Sequence, residues 1–144
     1  MTDDPQPTGR PEPVPDDASQ PFFDAAAEGR LLLRYCPACE RFLAPAAEVC
    51  DVCFGSELEW RQASGRGTLY SFVINHQVLH PGFVGEMPCN VCIIELDEGP
   101  RLTGNYLGDN ADLRVDMPLQ VTFVRAGEVF VPQWVGAAAP ADDR

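Results

Sequence analysis

Two cysteine pairs constrain this chain more than any other feature. Cys36-Pro37-Ala38-Cys39 is followed, after ten intervening residues, by Cys50-Asp51-Val52-Cys53. Each CxxC unit makes a tight turn that aims two thiolates at one point. Two such turns complete the four-sulfur tetrahedron that Zn²⁺ prefers, with bonds of about 2.3 Å. A shell closed by Cys36, Cys39, Cys50 and Cys53 leaves no open coordination position, so the metal is expected to be structural. Iron of the rubredoxin type is the competing ion. The metal would staple a lobe of roughly thirty residues, too small to hold a core unaided.

A third pair, Cys89 and Cys92, falls in an expected strand, where residues three apart point to opposite faces. No further cysteine pair or nearby histidine completes a second shell. Two ordinary buried or half-buried cysteines are expected there, over a redox pair. Six cysteines arranged this way argue against a disulfide framework and for a compartment that keeps thiols reduced, hence a cytoplasmic protein. Met1–Gln20 has no apolar h-region, and no apolar run approaches the roughly 20 residues of a membrane helix.

The 144 residues suit one domain, or two very small ones sharing a surface. Acidic side chains number 22 against 10 basic ones, a formal charge of −12, and every basic residue is arginine. The absence of lysine excludes a lysine Schiff base and a P-loop lysine. The acidity argues against nucleic-acid binding, which needs clustered cations on the phosphate backbone.

Residues 1–18 are proline-rich and acidic and read as a disordered leader, and 137–144 as a disordered tail. Ser19 or Gln20 is placed to cap a short helix with Pro21 in its first turn and Gly29 at its end. Phe22, Phe23, Ala26 and Ala27 form an apolar stripe along it. A strand over 30–35 runs into Cys36, so 19–61 reads as a helix plus zinc ribbon. Strands are expected at 68–76, 89–96, 101–107, 119–125 and 128–135, with turn signals between them. Five strands with a longer insertion after the third fit a small OB-type barrel over 62–136. The fold class is therefore mainly β: N-terminal helix, zinc ribbon, five-stranded OB-fold barrel.

Catalytic signals are sparse. His76 and His80 are the only histidines; His80 is expected in the loop with Pro81 and Gly82, and Glu86 is the nearest candidate partner. No nucleophile elbow, phosphate loop or HExxH occurs. The chain does not read as an enzyme on its own.

Taken in order, several motifs resemble one family. They are Pro21-Phe22-Phe23, the run Gly29 to Leu33, the two knuckles, Gly55-Ser56, Ser64 to Ser71, His80-Pro81-Gly82-Phe83, Met87-Pro88 and Ile94 to Leu102. Over about residues 19–136 the chain is similar to the widespread family that joins a rubredoxin-like zinc ribbon to an OB-fold. That family often carries an aromatic where Cys89 stands. The resemblance implies a non-catalytic accessory subunit that binds and stabilises a thiolase-superfamily enzyme acting on acyl-CoA. One branch bridges a thiolase and a hydroxymethylglutaryl-CoA synthase. Another accompanies a MaoC-like hydratase and a lipid-transfer-type retro-aldolase of steroid side-chain CoA esters, and the composition fits this branch better. The CoA ester would be met through the partner.

Five aromatics are candidate anchors for that partner: Phe22, Phe23, Tyr35, Phe83 and Trp134. Arg34, Arg41 and Arg66 are candidates for the CoA phosphates. The alternatives are a free-standing acyl-CoA carrier or sensor and a single-stranded nucleic-acid-binding module.

Overall fold

A computed structural model describes residues 11–137 of the chain. The disorder expected for 1–18 and 137–144 concerns residues that lie mostly outside this range. Just inside it, Ser19 N donates to Asp16 Oδ1 at 2.8 Å and Asp16 N donates to Ser19 Oγ at 3.0 Å. Ser19 is thus at the cap position of helix α1 (Gln20–Ala27), but its hydroxyl serves the preceding turn and not a helical N–H. Pro21 sits in the first turn, where no N–H is needed. Gly29 ends the helix at φ +78°, a region that side chains with a Cβ adopt only under strain.

The ribbon is a three-stranded antiparallel sheet in the order β2-β1-β3, made of β1 (Leu32–Cys36), β2 (Arg41–Leu43) and β3 (Glu59–Gln62). Only β1 was expected as a strand. Strand β2 has three residues, too few to show a period; it pairs because the first knuckle folds Phe42 back opposite Tyr35. The ribbon's own core is Cys36, Leu43 and Cys50, backed by Ala47 and Leu58. Two of its three central members are expected metal ligands.

The five expected barrel strands are present as β4 (Arg66–Asn75), β5 (Cys89–Leu96), β6 (Arg101–Gly104), β7 (Pro118–Ala126) and β8 (Val129–Gly136). They lie in the order β6-β5-β4-β7-β8. Strand β6 stops at Gly104 and not at 107, and the residues after it close the sheet. Tyr106 bridges to Trp134 in parallel, Trp134 N donates to Asn105 O, and Leu107 N donates to Trp134 O. The two edge strands therefore meet, which removes the exposed edges a small sheet must otherwise protect. Strand β4 serves both neighbours, with a register shift between Leu69 and Ser71. At its start a Cβ on Gly67 would lie 2.5 Å from the Glu95 carbonyl oxygen, so only glycine fits.

Ribbon and barrel share one core. Leu31 and Leu33, on the segment leading into the first knuckle, join Leu69, Cys92, Ile94, Leu119 and Trp134 in a single buried cluster. Burying one leucine stabilises the fold by about 1.5–3 kcal/mol. Trp134, one of the candidate anchors, is wholly buried in this cluster. Its indole packs beneath Gly104, where any side chain would meet the ring at 2.9 Å. Pairing with Val121 of β7 on one side and the bridge to Tyr106 on the other enclose Trp134, so it contributes to the fold and exposes no surface to a partner.

Candidate functional site

The four knuckle cysteines converge. Strand β1 delivers Cys36, and the turn that follows, with Glu40 at φ +51°, returns Cys39 towards it. In the second knuckle Cys50 N donates to Gly55 O, and Phe54 N, at φ +60°, donates to Cys50 O. All four Sγ atoms lie within 4.8 Å of one another. The Cys36–Cys53 and Cys39–Cys50 sulfur pairs are 3.7 and 3.9 Å apart. A tetrahedron with metal–sulfur bonds of about 2.3 Å has edges of about 3.8 Å. A disulfide needs about 2.05 Å, and all six cysteines are free thiols. The donor set and its spacing fit a structural Zn²⁺ held by Cys36, Cys39, Cys50 and Cys53.

Local dipoles prepare this shell. The Cys50 thiol is lowered to about 7, chiefly by the Cys53 and Val52 backbone N–H groups. The Cys39 thiol is pushed up to about 12, first by its contact with Cys53, then by burial and the other two sulfurs. Across the surface of the pair of knuckles, Arg41 Nη1 meets Asp51 Oδ1 at 3.0 Å. Arg41 is therefore occupied within the ribbon.

A second feature lies on the barrel. A groove of about 590 Å³ runs between α1, the loop from Asn75 to Cys89, and strands β5, β6 and β8. Phe22 and Phe23 of α1 and Phe83 of the loop line it together, with Leu79, Met87 and Leu102. Three of the five expected anchors thus share one surface. His80 entered the loop as expected; its Nδ1 accepts from Gly82 N at 2.9 Å and so caps the 3₁₀ turn Pro81–Phe83 that presents Phe83. His76 is exposed.

Tyr35 lies elsewhere. It packs edge-on to Phe42 at 5.1 Å, and the Arg61 guanidinium covers its ring at 3.7 Å. Arg34 lies over Trp60 at 4.6 Å, while Arg66 is exposed. Cys89 and Cys92 face opposite sides of β5. Cys89 borders the groove; Cys92 is fully buried, its thiol raised by that burial and directed to Asn90 Oδ1 at 3.4 Å.

Sequence reasoning missed the amide cluster beside the groove. Asn90 Nδ2 donates to Tyr106 O at 2.9 Å and to Asn110 Oδ1 at 2.8 Å, while Tyr106 N donates to Asn90 Oδ1 at 2.7 Å. Asn105 N donates to Gln133 Oε1 at 2.7 Å. These residues come from separate segments, Asn90 and Gln133 from β5 and β8 and the others from the stretch after β6, and no local spacing links them.

The family model for the rubredoxin-like zinc ribbon domain of ChsH2 matches residues 23–59, and that for the C-terminal OB-fold domain of ChsH2 matches 60–124. The chain belongs to the ChsH2 zinc-ribbon and OB-fold family. A protein of Thermomonospora curvata described as a probable enoyl-CoA hydratase alpha subunit is 33% identical over 118 residues, 81% of this chain and 36% of that protein. The 3-oxo-4,17-pregnadiene-20-carboxyl-CoA hydratase alpha subunit of Mycobacterium tuberculosis is 38% identical over 63 residues, 43% of this chain and 20% of that protein. The chain spans about a third and a fifth, respectively, of these two relatives. Among solved structures, a chain of the Ltp2-ChsH2(DUF35) aldolase superposes with a TM-score of 0.76 at 30% identity, over 88% of this chain and 99% of that one.

Proposed function

We propose that this member of the ChsH2 family is an accessory subunit with no reaction of its own, which binds and stabilises a thiolase-fold enzyme of the lipid-transfer type acting on acyl-CoA. The observation that carries this reading is the likeness to the ChsH2(DUF35) chain of an aldolase complex across 99% of that chain. Ribbon and barrel correspond together, so the likeness extends beyond either domain alone.

Retro-aldol cleavage of steroid side-chain CoA esters is the proposed reaction of the partner; the steroid CoA named in the mycobacterial relative supports it. A MaoC-like hydratase is the proposed second associate, supported by the hydratase alpha-subunit descriptions of both relatives. The CoA ester is reached through the partner, and the complex works in the cytoplasm. The formal charge of −12 opposes nucleic acid as a ligand.

Co-expression with candidate thiolase-fold subunits tests the assignment. The expected result is a complex that co-elutes, with retro-aldol activity and partner solubility lost when this chain is omitted. Undiminished activity of the partner alone, or tight CoA-ester binding by the isolated chain, overturns it; the second result would favour a free-standing carrier.

A further inference from the structure

Resting on the accessory-subunit reading, we infer that the groove between α1 and the Asn75–Cys89 loop seats an uncharged apolar segment of the thiolase-fold partner. The lining explains the choice. Among the described residues no Asp, Glu or Arg borders the groove, in a chain of which 22% is charged. CoA phosphates would find no cation there. One wall is rigid: Phe22 packs on the shared core and holds Phe23 edge-on at 5.3 Å. The floor is rigid as well, because Asn105 and Gln133 are bonded to each other. The loop carries the apolar surface outwards, with Leu79 76% and Val84 69% exposed. Contiguous exposed apolar surface of this kind marks an interaction site.

Other occupants fit less well. Residues 1–10 and 138–144 contain Met1 as their only large apolar side chain, so these two segments offer little to an apolar groove. A second copy would have to present the same concave surface to itself, and a self-facing contact must be self-complementary. A convex apolar segment of a different chain meets both the shape and the chemistry. It would anchor on Phe23, Phe83 and Leu79, with the acidic surface around it left in solvent.

The full chain and its thiolase-fold partner, co-expressed and titrated by calorimetry, provide the test. Leu79→Asp and Leu79→Arg, on an exposed loop position, and Phe23→Ser, on α1, are each expected to weaken the complex about tenfold or more. Loss with either sign of charge at Leu79 separates apolar contact from electrostatics. Val115→Asp places a charge on an exposed apolar side chain that lines neither the groove nor the metal site and should leave affinity unchanged. Unchanged zinc content and thermal midpoint show that each variant is folded. If the wild-type chain binds the partner and the Leu79 variants bind equally well, the groove assignment falls while the accessory role stands. If the wild-type chain binds no thiolase-fold subunit, both fall.

Discussion

The sulfur of Cys36 lies 3.7 Å from that of Cys53, although the two stand 17 positions apart in the chain. That distance is the edge of a metal-centred tetrahedron, and it directly implies how the ribbon responds to metal. Cys36→Ser should reduce bound zinc from a single ion per chain to near none, as measured by elemental analysis of the purified protein. Structural zinc contributes about 10–16 kcal/mol to the folding of small domains near pH 7. A strong chelator should therefore lower the thermal midpoint markedly; an unchanged midpoint after complete zinc removal would refute a structural metal.

Proton linkage at this site has a definite sign. Cys50 is lowered to about 7 from an ordinary value near 9, so in the metal-free chain its stabilising contribution is present above pH 9 and lost as pH falls through 7. Cys39, raised to about 12, contributes fully below pH 9 and loses that contribution as pH rises through 12. Zinc must displace the Cys39 proton at neutral pH. Metal uptake should therefore release protons into weakly buffered solution, and apparent zinc affinity should fall steadily as pH is lowered through 7, as followed with a competing chromophoric chelator.

Trp134 supports the barrel from within. Trp134→Ala should cost about 3–5 kcal/mol in denaturant unfolding, because the cavity lies under Gly104 and between closed strands that collapse poorly. Gly104→Ala should be destabilising from the opposite direction, by crowding the same ring. If Trp134→Ala keeps full stability but loses partner binding, the indole is an anchor after all.

Asn90 pairs with the backbone of Tyr106 on both its N–H and its carbonyl. Asn90→Ala should leave those groups unsatisfied, at about 1–3 kcal/mol each. Asn90→Asp keeps the acceptor but turns a second oxygen towards the Tyr106 carbonyl. Both variants should lower the thermal midpoint, and amide hydrogen exchange at Tyr106 should accelerate first.

The knuckles were legible because their information is local: four residues of one type at fixed spacing can do little else. The barrel strands were legible for a similar reason, since aromatic and β-branched runs such as Thr68–Asn75 lie between glycine and proline turns. What stayed hidden depends on distant partners. Strand β2 exists because Tyr35 offers it an edge, and the Tyr106 bridge exists because Trp134 ends up beside it. Exposure was the hardest property to read. Phe23 and Trp134 are both large aromatics in apolar runs; one faces a groove and the other is wholly enclosed, and only strand closure distinguishes them. Phe54, 77% exposed beside the second knuckle, sits where no period in the sequence distinguishes an outward side chain from an inward one.

Leu33 and Cys36 stand three residues apart on β1, one in the barrel's core and the other in the metal shell. A short stiff strand carries displacement at one end to the other. Loss of the zinc should therefore also loosen the core on which Phe22 rests, and with it one wall of the groove. Zinc content and the order of that wall should fall together when the metal is titrated away, so the ribbon's ion acts on a surface it never touches.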